Sequence, residues 1–314
     1  MIHLSELEAI ELTHASVVTI GVFDGVHLGH QVLVRRLVES ARSSGRLAGV
    51  ITFYPHPDVV LRGISGRYYL STPEERAALL GEMGVDFVIT LAFNDQLRHI
   101  RAADFVDLMV EHLQLSEVWV GNEFALGYKR EGNVPFLREQ GAQKGFVVDV
   151  IELVAVEDTD LGPRTISSSA IRQALAAGDI ETANYMLGRN YGVRGEVVHG
   201  LGRGHSIGFP TANIAIPAER LIPANGVYAG WALLGDERYM AVTNVGTRPT
   251  FSGQDVTVEA HLLDFDRDIY GQTLEFQFVT RLRPEMKFSG IEALVAQIGT
   301  DAEAGRAVLM AKDT

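Results

Sequence analysis

The sequence contains no cysteine, which excludes disulfides, thiolate zinc sites and a cysteine nucleophile. It is also short of positive charge: 27 Lys and Arg stand against 40 Asp and Glu, a net charge of -13. A chain of that sign repels polyanions and needs a local basic cluster to bind nucleic acid. No such cluster is present, so no nucleic-acid partner is expected. No apolar run is long enough to span a bilayer. The opening Met1-Ile2-His3-Leu4-Ser5-Glu6-Leu7-Glu8 lacks the basic and apolar stretches of a secretion signal. A cytoplasmic protein with no membrane partner is the expectation. Low-complexity tracts and internal repeats are missing too, and 46% hydrophobic with 21% charged residues is the composition of a folded chain. At 314 residues it suits two domains, each with its own apolar centre.

From Val17 to about Leu153, strand-like runs alternate with amphipathic helical stretches, the pattern of a parallel sheet wrapped by helices. Val17 to Phe23 is β-branched and apolar. Val34, Leu37, Val38 and Ala41 then recur at helical spacing until Gly45, and Leu47 to Phe53 completes a βαβ unit. Val85 to Leu91, Val118 to Gly121 and Phe146 to Leu153 read as further strands, with helices over Pro73 to Met83 and Ala103 to Leu113. Two more helices, Ser167 to Ala177 and Ile180 to Leu187, are each stopped by glycine. Past Tyr191 the apolar residues alternate instead, as in Leu274, Phe276 and Phe278, which is antiparallel β. Strands over Gly226 to Leu234, Tyr239 to Val245 and Val256 to Leu263 suggest a small barrel. The chain closes on helical segments Ile291 to Ile298 and Ala302 to Lys312. The expected domains are 1-188 and 189-314.

The most informative segment is Phe23-Asp24-Gly25-Val26-His27-Leu28-Gly29-His30, a glycine-containing turn between strand one and helix one. In an open α/β sheet ligands sit at this edge, and the free N–H groups of a helix start attract phosphate. His27 and His30, three apart, fall on one side of the first helical turn, while Gly29 lets a nucleotide approach the backbone. The pair is read as a phosphate clamp; surface histidines or a metal pair are the other readings. Ser167, Ser168 and Ser169 open a later helix, and Arg172 follows within a turn. Ser167 alone is an ordinary N-cap; three hydroxyls with a guanidinium suit a polyphosphate. When a phosphate monoester attacks the α-phosphorus of ATP the nucleophile is already an anion. Charge neutralisation and positioning are then what catalysis requires, and adenylyl transfer is assigned to this half. Tyr54-Pro55-His56-Pro57 is read either as a rigid proline turn or as a border of the ligand. Gly121-Asn122-Glu123-Phe124 ends a strand at the same edge.

In the second half, Gly200-Leu201-Gly202-Arg203-Gly204-His205-Ser206-Ile207-Gly208 precedes Phe209-Pro210-Thr211-Ala212-Asn213. Such glycines are either a surface turn or a phosphate loop. Thr211 and Asn213, two apart on an extended segment, project to one side. Their oxygens suit Mg²⁺ when ATP phosphates supply the remaining charge. Phosphorylating a primary alcohol differs from adenylyl transfer, because a proton must be removed. Glu259, opposite in facing to Val256 and Val258, is the candidate base; the plain alternative is a solvent-facing strand glutamate. Asn244-Val245-Gly246-Thr247-Arg248-Pro249-Thr250 reads as a polar turn that either holds Arg248 toward ligand or is simply surface.

Taken in order, these segments resemble the bacterial bifunctional riboflavin kinase/FMN adenylyltransferase (FAD synthetase) family over essentially the full length. The likeness also runs through Asn225-Gly226-Val227-Tyr228, Val258 to Phe265, Asp268-Ile269-Tyr270-Gly271 and Leu282-Arg283-Pro284-Glu285. It implies a Rossmann-like nucleotidyltransferase domain followed by a small antiparallel β-barrel riboflavin kinase domain with a C-terminal helix. Implied substrates and products are riboflavin, FMN, ATP and FAD, with Mg²⁺. Implied for ATP are Phe23, Asp24, His27, Gly29, His30, Ser167, Ser168 and Arg172 in the first half. Gly202, Gly204, Gly208, Thr211 and Asn213 are implied in the second, the last two also for metal. His27, His30, Ser168, Arg172 and Glu259 are the implied catalytic set, and His56, Pro57, Asn122, Glu123, Phe124 and Arg248 the implied flavin set. Ala125 and Leu126 depart from the larger residues of the family's strand-end motif. The alternative function is therefore a riboflavin kinase whose first domain only binds or senses flavin or nucleotide. A His-x-Gly-His turn also opens class I aminoacyl-tRNA synthetases, but no Lys-Met-Ser-Lys-Ser-type segment accompanies it here. Homo-oligomer formation is left open.

Overall fold

The computed structural model describes residues 1–151, 166–200, 204, 207–250 and 253–312. They divide into two compact units, Met1–Ser65 with Tyr69–Ser168, and Gly66–Tyr68 with Ser169–Thr314.

The first unit begins with β1 (Ile2–Leu4), β2 (Ser16–Ile20), α1 (Leu28–Ser43), β3 (Leu47–Tyr54), α2 (Pro57–Arg62), α3 (Pro73–Glu82) and β4 (Phe87–Ala92). It continues with α4 (Asp95–Arg98), α5 (Ala102–Leu113), β5 (Leu115–Gly121), the short β6 (Ala125–Leu126) and β7 (Gly132–Asn133), α6 (Val134–Lys144) and β8 (Val147–Ile151). The six main strands form one sheet in the order β1-β4-β3-β2-β5-β8, and every pairing is parallel. Successive β2 residues explain the double layer. Val17 and Val18 are both fully buried, yet Val17 packs with Val34, Leu37 and Leu80 from α1 and α3, whereas Val18 packs with Phe105, Val106 and Met109 from α5. Each such side chain, buried on its own face of the pleat, contributes roughly 1.5–3 kcal/mol. Gly49 is needed where a Cβ would lie 2.1 Å from the Phe87 ring. The expected strands and helices from Val17 onward are present, the last strand being described to Ile151 while residues 152 and 153 lie outside the described residues; β1 beside β4, α2, α4, β6, β7 and α6 are additions to them.

β5 also carries a buried carboxyl. Glu117 accepts from Trp119 Nε1 at 2.5 Å and pairs with Arg46 at 3.1 Å. Burial first, and then its hydrogen bond with Asp149, raise its pKa above the ordinary glutamate value. A raised carboxyl contributes stability that is fully present below the unfolded pKa and is lost as pH rises through the folded one. Glu117→Gln is thus expected to gain melting temperature relative to the parent as pH increases from about 4 to about 8. A difference between the two thermal melts that does not change with pH would contradict this.

In the second unit α7 (Ser168–Ala177, its first residue belonging to the first unit) and α8 (Ile180–Leu187) lead into β9 (Tyr191–Val198), β10 (Ala212–Ala215), β11 (Gly226–Leu234), β12 (Glu237–Thr250), β13 (Gly253–Leu262) and β14 (Thr273–Arg283). These close into an antiparallel barrel in the order β10-β13-β12-β11-β14-β9. Asn184 of α8 donates to the Phe278 carbonyl and accepts from Tyr191 N, so α8 packs with the barrel. Two expectations are corrected. Asn244 to Thr250 is strand, paired from Asn244↔Glu259 to Thr250↔Gly253, because β12 and β13 extend as one long hairpin whose ladder overrides the turn-like composition. The tail is one helix, α9 (Ile291–Lys312), continuous through Gly299-Thr300-Asp301. Thr300 Oγ1 donates back to the Ala296 carbonyl, and buried Asp301 is gripped by Arg283 at 2.7, 2.9 and 3.1 Å. Gly305 lets α9 approach the barrel where a Cβ would meet Val242 at 2.5 Å.

Candidate functional site

At the end of β2 the chain makes a turn that L-residues resist. Phe23 (φ 51), Gly25 (φ 80) and Val26 (φ 41) are all left-handed, and for β-branched Val26 that conformation costs on the order of 1–3 kcal/mol. Burial and polar anchoring offset the strain. Phe23 and Val26 lie in the core against α1, and Gly25 N donates to Ser71 Oγ at 3.0 Å. Asp24, expected at ATP, turns its carboxylate inward: it accepts from Leu70 N, Ser71 N and Ser71 Oγ and lies 3.7 Å from Arg76. The Asp24 carboxylate is thus engaged within the fold rather than turned outward. Arg76, fully buried, also donates to Thr52 Oγ1 and the Phe53 carbonyl, so one cation braces the sheet edge from beneath. Sequence reasoning missed it. The signal was an arginine on the core-facing stripe of α3, beside Ala77 and one turn from Leu80.

His27 is the N-cap of α1, its Nδ1 accepting from His30 N at 3.3 Å. The two rings stack with centroids 3.6 Å apart, and Phe23 closes on His30 at 4.9 Å. A side chain at Gly29 would crowd the His27 ring at 3.2 Å, so this glycine leaves room for the stack. Burial, then the charges of His27 and Arg76, hold the His30 pKa well below the ordinary histidine value. Its Nδ1 is buried without a hydrogen-bond partner. His30 is thus a neutral imidazole at neutral pH, a hydrogen-bonding group rather than a resident cation. Ser168 opens α7 and donates to the Asp24 carbonyl at 2.8 Å, which brings its hydroxyl to the turn. Arg172 belongs to the second unit, where its Nε donates to the Tyr68 carbonyl and its guanidinium lies 3.9 Å over the Tyr68 ring. Ser167 is partly buried immediately before α7.

Beside this turn, the first unit holds a cavity of about 700 Å³. It gathers Gly21 and Val22 from the end of β2, His56 and Pro57, and an unbroken wall from Glu123 to Arg130. His56 caps α2, accepting from Asp58 N at 3.0 Å, so the proline-flanked turn both shapes the backbone and lines the cavity. Asn122 is exposed and is not among the lining residues. The departing Ala125 and Leu126 are ordered: they pair with Asn133 and Gly132, and Leu126 is buried in the core. Phe93, His99 and Tyr128, unforeseen from sequence, complete the aromatic lining.

In the barrel, the register decides the geometry. Glu259 of β13 stands directly opposite Asn213 of β10 on one side and Asn244 of β12 on the other. Directly paired residues share a face, so one carboxylate is flanked by two amides. Glu259, Asn244 and Thr211 line a cavity of about 370 Å³ floored by α9 and the Arg283–Asp301 pair. Thr211 also lines a second cavity, of about 410 Å³, walled by Ala212, Ala260 and the loop from Phe265 to Tyr270. Thr211 is therefore common to both. A Cβ at Gly204 would come 3.1 Å from Thr211 Oγ1, and one at Gly200 2.4 Å from Asn213 Nδ2; glycine leaves a cradle over both side chains. Gly208 (φ 83) has the conformation that glycine tolerates. Gly202 and the side chain of Arg248 lie outside the described residues. His261 Nδ1 donates to the Pro210 carbonyl at 2.7 Å and fixes the approach to Thr211. Among the described residues no group of three or more His, Cys, Asp or Glu could hold a metal ion.

The family model for FAD synthetase matches residues 9–170, and that for riboflavin kinase residues 187–309. A bifunctional riboflavin kinase/FMN adenylyltransferase of Listeria monocytogenes is 37% identical over 293 residues, 93% of this chain and 91% of the relative. The protein of that name from Pseudomonas fluorescens is 38% identical over 294 residues, covering 93% and 92%. Among solved structures, a Streptococcus pneumoniae chain described as a macrolide-efflux protein superposes with a TM-score of 0.86 at 31% identity, covering 97% of this chain and 98% of that one. No helix among the described residues is long and apolar enough to cross a membrane.

Proposed function

The chain belongs to the bifunctional riboflavin kinase/FMN adenylyltransferase family, and from that premise we propose how its cavities and side chains divide the work. The protein phosphorylates riboflavin to FMN and adenylylates FMN to FAD, with ATP as co-substrate in both steps. The observation that carries the residue assignment is the register that sets Glu259 between Asn213 and Asn244 at a cavity shared with Thr211.

In the barrel, riboflavin occupies the α9-floored cavity and ATP the neighbouring one, so that Thr211 lies where the γ-phosphoryl group passes. The primary hydroxyl attacks the γ-phosphorus, its proton goes to Glu259, and the bond to the β-phosphate oxygen breaks to release ADP. Asn213 and Asn244 orient the carboxylate. Mg²⁺ enters with ATP as substrate; bound, it neutralises phosphate charge. The Thr211 hydroxyl and Asn213 amide, under their glycine cradle, fit it as neutral oxygen donors to an ion whose charge the phosphates balance.

In the first unit, FMN lies in the cavity lined by His56, Pro57 and Phe124, with Glu123 at its wall. Its phosphate oxygen attacks the α-phosphorus of ATP and pyrophosphate leaves; no general base is needed. His27, His30 and the α1 N-terminus receive the triphosphate, and Ser168 assists transfer. We assign α7 and α8 to this activity, which puts the functional boundary at 188 and 189 although the packing unit begins at Ser169. A cytoplasmic setting is the natural one for an ATP-consuming pair of reactions. Incubating the purified protein with riboflavin, ATP and Mg²⁺ and resolving the flavins by chromatography tests the function: FMN and then FAD are expected. FMN alone would restrict the protein to kinase activity, and no conversion would remove both.

A further inference from the structure

The wall of the 700 Å³ cavity of the first unit has an unusual means of support. Three of its residues are left-handed: Gly127 (φ 76), Lys129 (φ 54) and Arg130 (φ 61). Two consecutive non-glycine residues in that conformation are strained and persist only where neighbouring structure holds them. Little local structure is available, since β6 and β7 pair through only Ala125↔Asn133 and Leu126↔Gly132. The support comes instead from the start of α5. That helix has Arg101 at its N-cap position, and Arg101 makes no side-chain cap. A carboxylate from thirty residues further along the chain supplies what the cap lacks: Glu131 Oε1 accepts from Ala102 N at 2.8 Å and from Arg101 Nε at 2.7 Å. A negative charge at a helix N-terminus is favourable there, and these bonds, the one with Arg101 first, hold the Glu131 pKa below its ordinary value. Around the clasp, Tyr128 N donates to the Ile100 carbonyl at 2.8 Å and Arg130 to the Glu123 carbonyl at 2.7 Å. Gly127 passes so near the helix that a Cβ would lie 2.6 Å from Ala102 N.

We propose that Glu131 is a positioning residue for adenylyl transfer: by capping α5 it fixes the Glu123 to Arg130 wall against which FMN is bound. The inference rests on the reading of that cavity as the FMN site. Glu131 lines no part of the cavity, so its effect falls on how well the wall is held before FMN arrives, and hence on FMN affinity rather than on the chemical step.

The test uses the full-length protein with Glu131→Ala, Glu131→Gln and, as a lining control, Phe124→Ala. Steady-state FMN adenylylation and FMN binding by flavin fluorescence without ATP are measured beside thermal melts. Glu131→Ala is expected to raise the KM and Kd for FMN about tenfold, with kcat and the KM for ATP within about twofold and riboflavin phosphorylation unchanged. Glu131→Gln keeps an acceptor oxygen and should recover most of the FMN affinity. If Phe124→Ala weakens FMN binding while both Glu131 variants leave it unaltered, the clasp is refuted and the cavity assignment survives. If neither position affects FMN, the cavity assignment fails and takes the proposal with it. A fall in melting temperature, or a fall in kcat with both KM values raised alike, without a selective FMN effect in the folded Glu131→Ala protein would reduce Glu131 to a structural cap and overturn the positioning role.

Discussion

Glu259→Gln is expected to slow riboflavin phosphorylation by about 10²–10⁴-fold while FMN-to-FAD conversion continues at the parental rate. Glutamine preserves the length and planarity of the side chain, so the strand pairings Asn213↔Glu259 and Asn244↔Glu259 are retained and the cavity keeps its shape. What disappears is an oxygen able to accept the proton of the attacking alcohol. The loss should fall on kcat, with the KM values for riboflavin and ATP changed by no more than a few-fold, because the side chain acts on a proton in flight rather than on ground-state binding. Product analysis starting from FMN supplies the internal control: the FAD synthetase match covers residues 9–170, a stretch of chain separate from Glu259. A Glu259→Gln protein that still phosphorylates riboflavin at the parental rate would remove Glu259 as the base.

The same residue marks how far sequence can be read. Alternation with Val256 and Val258 was enough to put Glu259 on the opposite face of a strand, but a strand glutamate of that description is usually solvated surface. Its two amide neighbours come from strands 46 residues before it and 15 residues before it, and only the closed barrel brings them together. Asn244 was hidden for a further reason. The glycine, proline and threonine around it read as a turn, whereas the ladder to β13 carries the strand through to Thr250. Local composition lost to tertiary pairing there, and lost again at Gly299-Thr300-Asp301, where a buried ion pair with Arg283 holds α9 continuous. The apolar patterns fared better because burial enforces them. The doubly covered parallel sheet, the switch to an antiparallel barrel and the glycine-containing turn between β2 and α1 follow from periodicity and glycine placement. Arg76 and Glu131 did not follow, since each acts through partners distant in sequence: Thr52 and Phe53 for one, Arg101 and Ala102 for the other.

His30→Ala is expected to lower FAD formation from FMN by about 10²–10³-fold, while FMN still accumulates from riboflavin. His27 is committed to capping α1, so the ring that remains free to change its bonding at the turn is His30, whose buried Nδ1 lacks a partner. Alanine would remove that group, open the space between Phe23 and His27, and leave His27, Arg76 and the helix N-terminus as the remaining positive features of the turn. The charge state adds a second, signed test. Burial, His27 and Arg76 all disfavour the imidazolium, so in the free protein His30 should titrate below the ordinary histidine range of about 6.5. A triphosphate at the α1 N-terminus brings negative charge within reach of the ring and favours the protonated form, which must raise that pKa. By linkage, ATP affinity then rises as pH falls through the pKa of the bound state and levels off below the pKa of the free state. Histidine resonances followed by NMR in the free protein and with a non-hydrolysable ATP analogue, compared with His30→Ala to assign the signal, measure both values. An unchanged His30 titration on saturation with the nucleotide would mean that the triphosphate lies elsewhere. Equal loss of FMN and FAD synthesis in a folded His30→Ala protein would mean that the two reactions do not use separate sites.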